Sequence, residues 1–110
     1  MEAKVIRKGE AKMLMEGEEF TQIYFHTDKL IFSVGNLLPG HKSSLDKGHK
    51  DADEFCYVIQ GKLVMHLPGL DRYYLLNEGD AILIPPGEPH YTVNPGEEKA
   101  ISAWVCAPTL

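Results

Sequence analysis

Clusters of turn-forming residues cut this chain into runs too short for stable helices. They are Pro39-Gly40, Gly61, Pro68-Gly69, Asn77-Glu78-Gly79, Pro85-Pro86-Gly87 and Asn94-Pro95-Gly96. Proline removes a backbone donor and glycine tolerates positive φ, so each cluster ends whatever element precedes it. The intervening runs are rich in β-branched, aromatic and aliphatic residues, and they predict strands at 12–16, 19–26, 29–38, 54–60, 62–67, 72–76, 81–84, 90–93 and 99–106. Helical periodicity is confined to a turn or so within 9–19. Many short, evenly spaced strands in a small chain predict an all-β sandwich or barrel.

The 110 residues suffice for one domain with a modest core and no disulfide staples. A net charge of −5 argues against nucleic acid, which requires basic patches. No apolar stretch reaches the length of a membrane span. Met1-Glu2-Ala3-Lys4 does not begin a signal-peptide pattern, so the expected location is cytoplasmic, with no membrane partner. Cys56 and Cys106 lie far apart in apolar runs and read as reduced, buried small hydrophobes. Phe55-Cys56-Tyr57-Val58-Ile59 and Ala81-Ile82-Leu83-Ile84 are apolar on both faces, where a half-solvated sheet would alternate. Their outer face calls for a cover, either the N-terminal strands or a second subunit in a homodimer.

The segment 79–94 is the most informative in the chain. Gly79-Asp80 opens a short apolar strand, and Pro86-Gly87 has the residues of a type II turn. His90 then follows at the start of the next strand, rigidly placed and able to point into a barrel. Gly79, Pro85, Gly87, His90 and Asn94 match the second motif of the cupin superfamily without a departure. His49, Glu54 and Gly61 match most of its first motif. On these two motifs the chain resembles a small single-domain cupin, a double-stranded β-helix or jelly-roll barrel. The resemblance covers about 39–105, with the N-terminal strands in 1–30 and one domain over 1–110.

What this resemblance implies is a metal site on His49, Glu54 and His90. The metal would be a divalent transition ion such as Fe, Mn, Ni or Zn. The family's first histidine is missing: Lys47 stands in its place, and an ammonium is a poor metal ligand at neutral pH. Asp46, Asp51, Asp53 and, more distantly, His41 are the candidates for a fourth position. His49 and Glu54 are five residues apart and would point oppositely in an unbroken strand. They converge only if Asp51-Ala52-Asp53 forms a bulge or loop.

With Glu54 inward, Cys56 and Gln60 share its face, and Thr92 shares that of His90; together with Trp104 these are the expected pocket residues. His26 and His66 read as ordinary strand histidines, and Tyr73 and Tyr74 as packing residues. Lys47 and Lys50 read as solvated side chains that could steer an anionic substrate. No nucleophile elbow, phosphate-binding glycine loop or dinucleotide fingerprint is present. The resemblance therefore implies a metal-dependent enzyme of dioxygenase, isomerase or lyase type acting on a small polar or carboxylate-bearing metabolite. The alternative is a non-catalytic small-molecule-binding cupin with a degenerate or empty metal site, and fold alone does not choose between them.

Overall fold

The computed structural model of the chain describes residues 2–108. The strands within them are β1 (Lys12–Glu16), β2 (Glu19–His26), β3 (Ile31–Leu37), β4 (Asp53–Gln60), β5 (Leu63–Leu67), β6 (Arg72–Leu76), β7 (Ala81–Ile84), β8 (Tyr91–Val93) and β9 (Ala100–Ala107). Short 3-10 turns occur at Lys8–Glu10 and Pro68–Leu70. The fold is all-β, and no described helix is long and apolar enough to cross a membrane.

Two antiparallel sheets build the barrel. The larger runs in the order β1-β2-β3-β9-β4-β7 and the smaller in the order β6-β5-β8. Leu37, Cys56, Val58, Leu63, Met65, Leu67, Leu76, Ile84 and Ala100 form the core cluster. In β4 the alternation is clean. Cys56 and Val58 are fully buried, while Phe55, Tyr57 and Ile59 are each more than 40% exposed.

That exposure corrects one of the two covers expected for this face. β1 and β2 extend the larger sheet edgewise through β3 rather than folding over it. The register instead lines up Leu83, Phe55, Val105 and Phe32 in one outward row, with Ala81, Tyr57, Ala103 and Val34 in the next.

The turns that aim the site follow from their residues. The Glu88 amide donates to the Pro85 carbonyl at 3.2 Å, and Gly87 at φ +76° takes the left-handed position of the type II turn. Asn94 is wholly buried and pins the far end of the segment. Its Nδ2 donates to the Leu37 and Glu98 carbonyls, and its Oδ1 accepts from the Gly96 amide, all at 2.8 Å. Asn94 is therefore a structural clasp that satisfies backbone groups which burial would otherwise leave unpaired.

Candidate functional site

Asp46, His49, Glu54 and His90 meet at the mouth of the barrel. His90 Nε2 lies 3.2 Å from Glu54 Oε1 and 3.8 Å from Asp46 Oδ2. His49 Nε2 lies 3.8 Å from Asp46 Oδ2 and 4.0 Å from Glu54 Oε1. Of the candidates for a fourth position, the structure brings Asp46 to this cluster. Asp51 and Asp53 are exposed, and His41 pairs with Glu18 at 3.7 Å instead.

Local backbone explains each placement. A turn closes at 49–52, with the Ala52 amide donating to the His49 carbonyl at 3.3 Å, and β4 begins only at Asp53. That interruption is the loop that lets His49 and Glu54 converge. Asp46 and His90 form an isolated antiparallel bridge, each amide donating to the other's carbonyl at 2.8 Å. Asp46 Oδ1 accepts from the Gly48 amide at 2.8 Å, which leaves Oδ2 turned to the cluster. Gly48 at φ +83° absorbs the extra residue between Asp46 and His49. An aspartate three residues before His49 thus occupies the region where the family pattern leads one to expect a histidine two residues before it.

The electrostatics of the cluster suit a cation. His90 Nδ1 lies 2.9 Å from the Glu88 carbonyl oxygen, which can accept only from an N–H, so in neutral His90 the lone pair sits on Nε2. That lone pair faces Glu54 Oε1, a buried oxygen with no hydrogen-bond donor among the described residues. Two acceptors at 3.2 Å need a proton or a metal ion between them. Burial opposes protonation of His90, but the Glu54 carboxylate, the Glu88 carbonyl and the Asp46 charge outweigh it and raise its pKa above the usual histidine value. The same donor set suits a first-row divalent ion. Asp46, His49 and Glu54 offer ligand atoms that all lie within 4.8 Å of one another, and His90 Nε2 adds a donor within 3.8 Å of both carboxylates, on the scale of donors that share one ion through bonds of about 2.1 Å. The backbone contact at Nδ1 is the usual way of fixing a ligating imidazole's tautomer.

Trp104 stacks on His90, with ring centroids 5.9 Å apart and 20° between planes, and lines the cavity beside it. The other expected pocket residues do not line it. Cys56 and Thr92 are buried in the interior, and Gln60 donates to the Lys99 carbonyl at 2.9 Å. Facing inward is not the same as facing the site. A strand rises ~3.3 Å per residue, so Gln60 lies roughly 20 Å along β4 from Glu54. Burial pushes the Cys56 thiol up to about 12 and the Cys106 thiol up to about 11, aided by nearby carboxylates, so both remain protonated and poorly nucleophilic.

Glu19 is a site residue that the sequence did not reveal. It is only 7% exposed, lines the cavity, and accepts from the Thr21 hydroxyl through Oε1 at 3.2 Å. Burial, and then the charge of Glu16, raise its pKa from 4.5 to about 7. The fold therefore favours the protonated carboxyl; this contribution is complete below about pH 4.5 and is lost as pH rises to about 7. Glu19→Gln, which has no charge to bury, is expected to stabilise the metal-free protein by about 3 kcal/mol at pH 8. Near pH 4.5 the difference should shrink below about 0.5 kcal/mol. Urea denaturation at the two pH values measures it; an equal effect at both would show that Glu19 does not change charge on folding.

The comparisons agree with this architecture. A family model described as the cupin domain matches residues 33–106, and the chain belongs to that family. A predicted oxalate decarboxylase from Thermotoga maritima is 23% identical, with a TM-score of 0.79 over 97% of this chain and 100% of that one. KdgF from Halomonas sp. is 22% identical, with a TM-score of 0.79 over 97% and 96%. An uncharacterized double-stranded β-helix protein from Klebsiella pneumoniae subsp. pneumoniae is 26% identical, with a TM-score of 0.78 over 98% and 92%. No curated protein sequence matches the chain significantly.

Proposed function

We propose that this chain acts as one cupin domain, 1–110, that holds a divalent transition ion on Asp46, His49, Glu54 and His90. On this reading it is a metalloenzyme of dioxygenase, isomerase or lyase type acting on a small polar metabolite. One observation carries the metal: the buried, donorless Glu54 Oε1 faces the Nε2 of a histidine whose Nδ1 is already engaged with a carbonyl. Bound there, Fe, Mn, Ni or Zn would supply a Lewis acid or a dioxygen-binding centre. The protein's own part is to orient the His90 imidazole through its contact with the Glu88 carbonyl and to shield one side of the site with Trp104. The exposed rows built on Phe55, Tyr57 and Leu83 support a homodimer formed through the outer face of the larger sheet.

Elemental analysis of untagged protein tests the site. Near-stoichiometric metal is expected in the parent, with about a tenfold or greater loss of occupancy in His90→Ala, Glu54→Ala and Asp46→Ala. Asp51→Ala and Asp53→Ala should keep their metal. Retention in both His90→Ala and Glu54→Ala would overturn the assignment. A parent that takes no metal under any loading condition would instead favour a binding cupin without catalysis.

A further inference from the structure

The cavity beside the four clustered side chains has two unlike recesses, and neither offers a cation. The narrow one, about 60 Å³, is walled by Glu16 and Glu19 with Ser33, Ser43 and Ser44. The wider one, about 200 Å³, adds the apolar side chains of Leu14, Ile23, Ile31 and Cys106, with Glu16, Ser33 and Trp104 shared between the two beside the clustered Asp46 and Glu54. This is below the ~300–1,000 Å³ of drug-sized sites, so the occupant is small. Among the described residues no lysine or arginine lines either recess, and Lys47 and Lys50 are exposed outside them.

Charge then decides what can enter. At pH 8, above the Glu19 pKa of about 7, the two positive charges of a divalent ion would be matched by Asp46 and Glu54, leaving Glu16 and a deprotonated Glu19 without a cationic partner. These two residues also stand directly opposite each other in the β1–β2 hairpin, where like charges are unfavourable. An anionic ligand would add a further like charge in a partly desolvated space. A ligand with hydrogen-bond donors relieves the pair. Glu19 is suited to receive one: Thr21 is its only hydrogen-bond donor among the described residues, and Gly35 leaves room for its carboxyl, since a Cβ there would lie 2.8 Å from Oε2.

We propose that the cavity takes a small, non-anionic molecule whose hydroxyl or ammonium head hydrogen-bonds to Glu19 and whose short apolar part fills the Leu14–Ile31 side. This narrows the substrate class of the site proposed above and rests on that reading for the metal. The exclusion of anions rests on the acidic wall alone. Lys47 and Lys50 then have no part in drawing in a carboxylate.

Three probes of one carbon skeleton test it at pH 8, where Glu19 is deprotonated: butane-1,2-diol, 1-aminobutan-2-ol and 2-hydroxybutanoate, titrated into Co²⁺-loaded protein and followed by its visible spectrum. The diol or the amino alcohol is expected to bind about tenfold or more tightly than the hydroxy acid. Which of the two binds tighter identifies the head group. Glu16→Gln, on a partly buried wall, and the near-isosteric Glu19→Gln should each narrow that ratio about threefold or more by strengthening the hydroxy acid, at unchanged cobalt content. The proposal is overturned if the hydroxy acid binds tightest in the parent, or if neither substitution moves the ratio. Protein that takes up no cobalt refutes the metal reading instead. The same three titrations, read by amide chemical shifts of the metal-free protein, then decide the charge selectivity on their own.

Discussion

Gly48→Ala is expected to destabilise the metal-free protein by roughly 3–5 kcal/mol and to remove most of its metal affinity. Two effects combine. At φ +83° any Cβ meets the steric penalty of the left-handed region, about 1–2 kcal/mol. The added Cβ would also lie 2.7 Å from the Glu88 amide nitrogen and the Gly87 carbonyl carbon, which are backbone atoms that cannot rotate away. Relief requires the 46–49 loop to separate from the 85–90 loop. These loops carry Asp46 and His49 on one side and His90 on the other, and the Gly87 amide donates to the His49 carbonyl between them at 2.9 Å. Gly79→Ala is the control, since Gly79 has φ +85° but no neighbour within 4 Å of a built Cβ. It should cost only about 1–2 kcal/mol and leave the metal in place. Denaturant unfolding with metal analysis on both variants separates backbone strain from the collision. Equal losses in the two would show that the contact between the loops does not matter.

Metal affinity is expected to fall about 100-fold or more between pH 8 and pH 5. On the proposed ligand set the ion would need neutral His90, and Glu54, the Glu88 carbonyl and Asp46 together raise the pKa of this imidazole in spite of its burial. Protons therefore begin to displace metal at a higher pH than an ordinary histidine would require. Below that point affinity drops about tenfold per pH unit for each proton taken up. The same sign applies to the metal-free fold. A raised histidine pKa contributes stability that is complete below the unfolded value and is lost as pH rises through the folded one. Acid should thus weaken the metal complex while leaving this contribution to the metal-free protein intact. Competition titrations with a chelator across the pH range read the first effect, and a flat profile would remove His90 from the ligand set.

Much of the strand pattern is local chemistry and was legible in the chain. The predicted bounds of 12–16, 19–26, 72–76 and 81–84 coincide with β1, β2, β6 and β7, because proline, glycine and asparagine stop strands through their own backbone preferences. The type II turn before His90 belongs to the same class of fact. The interruption between His49 and Glu54 could be required from spacing, since side chains alternate along a strand.

Asp46 could only be offered among several candidates. The choice depends on Gly48 adopting a left-handed conformation against the 85–90 loop, a contact between segments some forty residues apart. Glu19 stayed hidden because an acid near a hairpin usually faces water. Burial of β2 against β3, with room left by Gly35, turns it inward. Gln60 and Cys56 failed as pocket residues for the complementary reason, since alternation gives the face of a side chain but not its depth in the barrel. The sequence by itself determined the strands, their turns and the rigid placement of His90, because these depend on neighbours a few residues away. Only the tertiary structure decided which acids surround that histidine and what charge the cavity presents, because those depend on which distant segments pack together and how far they exclude water.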